Sequence, residues 1–345
     1  MLAVYTLENA TEWDEKVLSF LAHDTYWLSG YVKAFFLHGD GEPLLFYYVD
    51  GNVRGINVVM KRDISKDVHF KGKIPENTYF DFATPYGYGG WLIEGENAEA
   101  LFAEYEKWCF ENNIVSEFVR FHPVIENHVA AKGGYEVIGL GNTVALDLSS
   151  PEKIWENITS KNRNMIRKAE KNGITIEHGR SSELYETFRG IYNATMDKDN
   201  ADTYYYFAPE FYESVLMDLA EDAEVFYASY EGNIIAASII LSRNGRLNYH
   251  LSGSRREYQS FAPTNLLLYE AALWGCENGC KTFHLGGGVG SGEDGLFKFK
   301  KSFYRGDDLP RFHIGKKILN REKYDELLAM REVMPESNFF PKYRA

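Results

Sequence analysis

An internal repeat constrains the fold of this 345-residue chain more tightly than its composition does. The segments LFYYVDGNVRGINVVMKR (45–62) and FYASYEGNIIAASIILSR (226–243) align without a gap, and each has an acidic residue, Gly and Asn between two strand-forming runs. Such a centre supplies the positive φ that a tight hairpin turn needs. WCFENN (108–113) and WGCENG (274–279) match in the same order, so the sequence predicts two copies of one unit.

Each copy reads as helices, a hairpin, a further strand, a helix and a strand. This order predicts an α+β fold with mixed central sheets flanked by helices. We expect the boundary in LDLSSPEK (146–153), where a strand ends and a serine can cap a helix with Pro151 in its first turn. The expected domains are therefore 1–148 and 149–345.

Composition and terminal sequence exclude several classes of protein. No apolar run approaches the roughly 20 residues of a membrane span, and the N-terminus lacks the basic start and apolar core of a secretory signal. The three cysteines are too few and odd in number for a disulfide framework, so we expect a cytoplasmic protein. Cys276 and Cys280 lie one helical turn apart without a histidine at ligand spacing, which favours core thiols and no metal site.

The formal net charge is −13, but bases are concentrated in two stretches, 151–180 and 298–317. A protein that binds long nucleic acids is usually basic overall, so we expect no DNA binding. In KNRNMIRKAEKNG (161–173), a helical pattern puts apolar residues on one side and bases on the other. The bases are Arg163, Arg167, Lys168 and Lys171. This face is either a solvated helix surface or a wall that binds a phosphate or carboxylate.

GLFKFKKSFYRG (295–306) contains a lysine in an unusual place. Read as a helix, Leu296, Phe299 and Phe303 form an apolar stripe that includes Lys300. Lys300 either extends along the core with its amine in water, or lies in a cleft where it meets developing negative charge. Amide formation passes through an oxyanion and needs such a group. Read as a strand, Lys298 and Lys300 share a face.

The preceding stretch, LGGGVGSGEDG (285–295), is rich in glycine. Its spacing matches neither a phosphate-binding P-loop nor a dinucleotide fingerprint. We expect a mobile loop beside a functional site.

Two tyrosine-containing segments are candidate binding elements. In TPYGYGG (84–90), Tyr86 and Tyr88 can stack on or hydrogen-bond to a ligand, although the segment also fits an ordinary turn. In DTYYYFAPEFY (202–212), Tyr206 and Tyr212 can recognise a sugar or peptide, and core packing explains them equally well.

Four segments in this order resemble the Fem (FemABX) family of non-ribosomal peptidyltransferases. They are ATPYGYGGW (83–91), FVRFHPVIEN (118–127), ITSKNRNMIRKAEKNGI (158–174) and FKKSF (299–303). The resemblance implies two tandem GNAT-like acyltransferase domains. It implies that the first domain contributes to a site for a nucleotide-linked cell-wall precursor, and that the second carries the transfer site.

The resemblance also implies roles for single residues. Lys300 matches the catalytic lysine of the family, and Phe299 belongs to the same F-K-x-x-F motif. The other expected substrate-binding residues are Tyr86, Tyr88, Arg163, Arg167, Lys168, Tyr206 and Tyr212.

The implied reaction is transfer of an aminoacyl group from aminoacyl-tRNA to an amine of a peptidoglycan precursor, with no bound cofactor. An alternative is an acyl-CoA-dependent N-acyltransferase that acts on an amino sugar or another amine in surface-polysaccharide synthesis. SRREYQSFAPTN (254–265) lacks the glycines of the simple GNAT phosphate loop, which disfavours CoA. A third possibility is a non-enzymatic binder of a nucleotide-sugar, which retention of FKKSF disfavours.

Overall fold

The computed structural model describes residues 1–331 and 338–345. The strands are, in chain order, β1 (Leu2–Tyr5), β2 (Glu42–Asp50), β3 (Val53–Asp63), β4 (Phe80–Ala83), β5 (Leu92–Glu94), β6 (Ile114–Arg120), β7 (Glu136–Asn142), β8 (Val144–Asp147), β9 (Thr175–Gly179), β10 (Ala223–Tyr230), β11 (Asn233–Arg243), β12 (Arg246–Ser254), β13 (Thr282–Gly286) and β14 (Arg311–Ile318). The helices are α1 (Ala10–Leu18), α2 (Ser29–His38), α3 (Glu99–Glu111), α4 (His128–Ala131), α5 (Pro151–Asn157), α6 (Ser160–Lys171), α7 (Ser182–Lys198), α8 (Pro209–Asp218), α9 (Pro263–Glu277), α10 (Gly295–Lys301) and α11 (Arg321–Ala329).

The chain forms two compact units, each with its own sheet. The first unit is Met1–Leu140 with Phe312–Ala345, and the second is Gly141–Arg311. The first sheet has the order β1-β2-β3-β4-β6-β14-β7, with β5 also paired to β3. The second has the order β8-β13-β12-β11-β10-β9.

The two sheets share one succession of strands. In the first, β1, β2, β3 and β4 pair antiparallel in turn, and β4 then pairs parallel with β6. In the second, β9, β10, β11 and β12 do the same, and β12 pairs parallel with β13. The crossover helices of the two parallel pairs are α3 and α9. The α+β fold with mixed sheets and the internal repeat are therefore both confirmed.

The two repeated hairpins differ by one residue at the turn. Gly51, at a φ of 56°, and Asn52 join β2 to β3, whereas Glu231 and Gly232, at φ of 48° and 78°, join β10 to β11. The second turn therefore begins one residue earlier in the repeat. A β-bulge after Ala228 offsets part of this difference, and beyond it the pairing still differs from the first hairpin by one residue, with Phe226 opposite Ser238 and Leu45 opposite Val58.

The units differ from the domain bounds expected from the sequence. The first segment ends at Leu140 rather than at 148, and the tail Phe312–Ala345 belongs to the first unit rather than to the second. The reason is backbone pairing, because β14 lies antiparallel to β6 with Ile314 opposite Arg120. Hydrogen bonds between distant segments leave no local trace in a sequence.

The end of the tail is held in the first unit by a buried charge cluster. Asp81 is fully buried and accepts hydrogen bonds from Arg62 Nε at 2.8 Å, Arg344 Nε at 2.6 Å and the Tyr343 hydroxyl at 2.9 Å. Arg344 also donates to Asp67 at 2.9 Å. The tail therefore contributes both a strand and an ion-pair cluster to this unit.

None of the helices in the described part of the chain combines the length and the apolar character that a bilayer span requires.

Candidate active site

Helix α10 places Lys300 on its buried face. The helix begins after Asp294, whose Oδ1 accepts a hydrogen bond from the backbone N–H of Phe297 at 2.8 Å. Lys300 retains 8% of its accessible surface, and Phe297 and Phe303 are buried beside it in the apolar core of the second unit. Lys300 is therefore withdrawn from solvent, and its part in the chemistry stays a prediction.

The apolar stripe of this helix is not the expected one. Leu296 is 41% exposed and Phe299 is partly buried, whereas Phe297 takes the buried position. Phe297, Lys300 and Phe303 have the spacing of a helical face, and so do the residues of the expected stripe. A helix of seven residues has too few turns for its sequence pattern to distinguish these two faces. The Asp294 cap sets the start of the helix.

The amine of Lys300 has a defined polar environment. Nζ donates a hydrogen bond to the carbonyl oxygen of Gly287 at 2.7 Å and lies 5.8 Å from the centre of the Tyr249 ring. Burial lowers the pKa of Lys300 to about 8, and the negative charge of Asp294 opposes part of that decrease. At neutral pH the group is therefore mainly an ammonium ion, with an accessible neutral form.

The two neighbouring lysines have different environments. Lys298 is exposed. Lys301 Nζ donates to the carbonyl oxygens of Tyr304 and Gly306 at 2.8 and 2.7 Å, which supports the chain beyond the end of the helix. Lys300 is the buried member of the three.

Tyr249 reaches this site because of a β-bulge that the sequence did not predict. Ile239 lies opposite Leu251 and Ile240 lies opposite Tyr249, so His250 is an extra residue in β12. Bulges redirect neighbouring side chains and are common at functional sites. The alternation of residue types around 249 carries no signal for the bulge, and Tyr249 was missed for that reason.

The glycine-rich loop before α10 is anchored rather than free. Asp294 Oδ2 accepts a hydrogen bond from the backbone N–H of Val289 at 3.2 Å. The backbone of Ser291 passes so close to Gly141 that a Cβ there would lie 2.0 Å from the Ser291 carbonyl oxygen. The sequence predicts a mobile loop, whereas the structure fixes the loop at two points.

The basic face of α6 lies beside an indole ring. The guanidinium groups of Arg163 and Arg167 lie 5.8 and 5.1 Å from the centre of the Trp155 ring, within cation–π range. Lys168 is exposed on the same helix. The opposite face is buried, as the pattern predicted, with its apolar residues in the core.

One backbone hydrogen bond connects the start of α6 to the end of α10, the helix that carries Lys300. The N–H of Thr159, which caps α6, donates to the carbonyl oxygen of Ser302 at 2.9 Å, two residues beyond Lys300. The start of the basic helix and the end of α10 are therefore adjacent. Whether the arginines bind an anion stays a prediction.

The two tyrosines expected in the 202–212 segment occupy different environments. Tyr212 is 3% exposed and packs edge-on against Phe188 and Phe211, and burial raises its pKa. This placement favours the packing alternative for Tyr212. Tyr206 is partly buried, and its hydroxyl donates to Asp197 at 2.8 Å. Their roles in binding stay predictions.

In the first unit, Tyr86 and Tyr88 border an aromatic cluster. The ring of Tyr88 lies 5.4 Å from Tyr26 and 5.1 Å from His122, and burial raises the pKa of its hydroxyl. The carbonyl oxygen of Tyr86 accepts a hydrogen bond from the Tyr31 hydroxyl at 2.5 Å. Both tyrosines are partly exposed as whole residues, and their role in binding stays a prediction.

Gly87 makes this turn possible. Its φ is +93°, and a Cβ at this position would lie 2.5 Å from the Tyr26 ring. Glycine adopts this backbone conformation without strain and leaves room for the Tyr26 ring, so it fits the turn between Tyr86 and Tyr88.

In residues 1–331 and 338–345, no group of three or more His, Cys, Asp or Glu side chains is arranged to hold a metal ion.

The second unit has a buried lysine on a short helix beside a bulged strand. Together, the two repeated α+β units define a tandem GNAT fold. Residues 159–301 match the family model described as an acetyltransferase (GNAT) domain. This segment includes α6, the bulged strand and Lys300.

Comparison with a curated protein gives a more specific relative. The chain is 28% identical over 176 residues to the UDP-N-acetylmuramoylpentapeptide-lysine N(6)-alanyltransferase of Weissella viridescens. The alignment covers 49% of this chain and 50% of that enzyme, so the chain spans about half the length of the curated relative.

Solved structures extend the likeness of fold to the whole chain. The crystal structure of FemX has a TM-score of 0.68 at 15% identity, and the match covers 96% of this chain and 100% of FemX. The C-terminal domain of a putative lysylphosphatidylglycerol synthetase from Agrobacterium fabrum has a TM-score of 0.54 at 13% identity, with 94% of each chain covered. The resemblance to the Fem family that the sequence motifs indicate is confirmed.

Proposed function

We propose that this protein is a Fem-like N-acyltransferase that moves an aminoacyl group from aminoacyl-tRNA to an amine of a peptidoglycan precursor. The observation that carries the proposal is the buried Lys300, held with its Nζ 2.7 Å from the Gly287 carbonyl oxygen inside a GNAT-fold unit. The similarity to an alanyltransferase named for a muramoylpentapeptide-lysine substrate supports an aminoacyl group and this acceptor.

The reaction forms one bond and breaks another at the same carbon. The acceptor amine attacks the ester carbonyl carbon of the aminoacyl donor, and the carbonyl oxygen becomes an oxyanion. Collapse of this intermediate forms the amide and breaks the ester C–O bond. The proton lost by the amine goes to the ribose oxygen that leaves.

Lys300 suits stabilisation of the oxyanion. An ammonium group has three donors, and the hydrogen bond to Gly287 uses one of them. The apolar surroundings strengthen the attraction between the ammonium ion and a developing negative charge. In this role Lys300 works in its protonated form, so its pKa of about 8 sets the upper limit of the working pH range.

The remaining site residues divide between the two substrates. Tyr86 and Tyr88 in the first unit, both partly exposed, would contact the nucleotide-linked acceptor. Arg163, Arg167 and Lys168 would bind phosphates of the donor, because α6 starts next to the end of α10. The other proposed contacts are those of Tyr206 and Phe299, whereas the burial of Tyr212 favours a packing role.

We place the protein in the cytoplasm, where aminoacyl-tRNA and soluble nucleotide-linked precursors are both present.

An acyl-CoA-dependent N-acyltransferase is the second candidate, and the match of 159–301 to an acetyltransferase domain favours it. Its acceptor would be an amino sugar or another amine of a surface polysaccharide. The segment before α9 has Ala262 at a φ of +60° and no glycine between Arg255 and Ala262. Glycine-rich turns let backbone N–H groups approach a phosphate closely, so this segment is a poor pyrophosphate cradle.

A donor and acceptor matrix tests the proposal. Alanyl-tRNA, seryl-tRNA, glycyl-tRNA and acetyl-CoA are each paired with a UDP-linked muramoylpentapeptide and with a UDP-linked amino sugar. Mass spectrometry then detects the amide product. We expect product from an aminoacyl-tRNA with the muramoylpentapeptide. Product from acetyl-CoA alone would establish the second candidate, and no product in any pair would remove both.

A further inference from the structure

Asp294 accepts two backbone hydrogen bonds in the environment of Lys300. Its Oδ1 caps α10 through the Phe297 N–H at 2.8 Å, and its Oδ2 holds the Val289 N–H of the glycine-rich loop at 3.2 Å. That same loop contains Gly287, whose carbonyl oxygen accepts the hydrogen bond from Lys300 Nζ. One carboxylate thus fixes both the helix that carries the amine and the loop that carries its acceptor.

The charge of Asp294 also acts on the amine. The hydrogen bond from the Phe297 N–H lowers the pKa of Asp294, so the group is a carboxylate at neutral pH. Its negative charge favours the ammonium form of Lys300 against the burial that disfavours it.

Other titratable groups lie on the strands near α10. They are Asp147 on β8, His284 on β13, and Arg246, His250 and Tyr249 on β12, and the Tyr249 ring is 5.8 Å from Nζ. Burial raises the pKa of Tyr249, which keeps its phenol neutral. Asp294 is the carboxylate whose charge acts on Lys300.

Gly288 shows how closely the loop is fitted to this carboxylate. A Cβ on Gly288 would lie 2.4 Å from Asp294 Oδ1 and 2.2 Å from the Gly292 carbonyl oxygen. The φ of Gly288 is −86°, which any residue can adopt, so glycine is needed here for space alone.

We propose that Asp294 is the positioning residue of Lys300, which holds the amine against the Gly287 carbonyl and maintains it as a cation for transfer. This inference rests on the proposed function, because it assigns a second residue to the same site. Asp294 acts through Lys300 and makes no contact with substrate in the proposal.

Two variants perturb Asp294 in different ways. Asp294→Asn removes the charge and keeps one oxygen acceptor, which serves either the cap or the Val289 N–H but not both. Glu293→Gln is the matched control, because it removes an exposed carboxylate one residue away. Gly288→Ala keeps the charge but displaces the carboxylate. Its matched control is Gly292→Ala, where φ is −84° and the nearest atom to a Cβ is 3.5 Å away.

The first readout is the titration of Lys300 itself. NMR of protein that carries 13Cε-labelled lysine monitors this titration, and the Lys300→Met spectrum identifies the Lys300 signal. We expect the midpoint to fall by about one pH unit in Asp294→Asn, the low end for a nearby opposite charge that is partly exposed. The midpoint should stay at the wild-type value in Glu293→Gln. An unchanged midpoint in Asp294→Asn would overturn the proposal.

The second readout is the pH profile of transfer. We compare the ratio of the Asp294→Asn rate to the wild-type rate at two pH values. The ratio should be about tenfold lower above the Lys300 midpoints of both proteins than at low pH, because the midpoints differ by one pH unit. Gly288→Ala should lower kcat across the profile, and Gly292→Ala should leave it unchanged. A flat ratio for Asp294→Asn, or equal kcat for the two glycine variants, would contradict the role of Asp294.

The two readouts also separate this inference from the proposed function. If Lys300→Met retains wild-type transfer, the function assigned to Lys300 is wrong, whereas the NMR titration still decides whether Asp294 controls its charge.

Discussion

Replacement of Arg344 by alanine should destabilise the first unit by about 3 kcal/mol. Asp81 is fully buried, and Arg344 provides two of its hydrogen bonds, from Nε at 2.6 Å and from Nη2 at 3.2 Å. Removing one partner of a buried ion pair costs about 3–5 kcal/mol, since the remaining charge is left without compensation. Arg62 still pairs with Asp81 at 2.8 Å, which places the expected loss at the lower end.

The pH dependence of this loss follows from the pKa of Asp81. Burial alone would raise that pKa, but Arg62 and Arg344 hold it below its usual value. A carboxyl group with a lowered pKa in the folded state contributes stability above its unfolded pKa of about 4. That contribution is lost as the pH falls through the folded value. The difference between wild type and Arg344→Ala should therefore be constant from pH 7 to pH 5 and shrink below about pH 4.

The assay is urea unfolding with hydrogen exchange measured in peptides from β4 and β6, because these report on the first unit alone. Arg321→Ala is the matched control. Its ion pair with Asp325 is exposed on both sides, and such pairs contribute about 0–1 kcal/mol. A loss below about 1 kcal/mol for Arg344→Ala, or a loss of equal size at pH 3 and pH 7, would refute the reasoning.

Two further perturbations test the second unit. Gly253→Ala should lower the melting temperature, because a Cβ there would lie 2.8 Å from the Ile191 carbonyl oxygen. The control is Gly190→Ala, where a Cβ meets nothing within 4 Å and should stabilise α7 by about 0.5–1 kcal/mol. Calorimetry should give opposite signs, and equal effects would argue against the packing of α7 on β12. Replacing Arg163 and Arg167 together by Gln should weaken tRNA binding and reduce its salt slope by one to two charges at normal stability. Unchanged affinity would leave this face as a solvated helix surface.

The parts of the fold that could be predicted from the sequence are local. The acid-Gly-Asn centres predict the hairpins β2–β3 and β10–β11 because turn chemistry lies within a few residues. The alternation of apolar and basic residues predicts the buried and exposed faces of α6 because the helical period is short. Lys300 could be identified from the sequence because it is a lysine within an apolar helical pattern.

The parts that the sequence did not predict depend on distant contacts or on single backbone irregularities. The pairing of β14 with β6 depends on residues almost 200 positions apart in the chain, such as Ile314 and Arg120. The bulge at His250 is a change of register, and residue type does not encode it uniquely. Asp294 reads as one more acidic residue in a glycine-rich loop, and its role emerges from two hydrogen bonds of its carboxylate.

Single-turnover transfer by Lys300→Met tests the central claim most directly. Methionine has similar length and keeps the apolar contacts, but it has no charge and no donor. With alanyl-tRNA and a UDP-linked muramoylpentapeptide, transfer should be slower than wild type by roughly 10² or more, the loss expected for a key oxyanion donor. Lys298→Met, which removes the exposed lysine two residues away, should retain a rate within a few-fold of wild type. Equal rates for the two variants, both folded, would contradict the assignment of Lys300 to the chemistry.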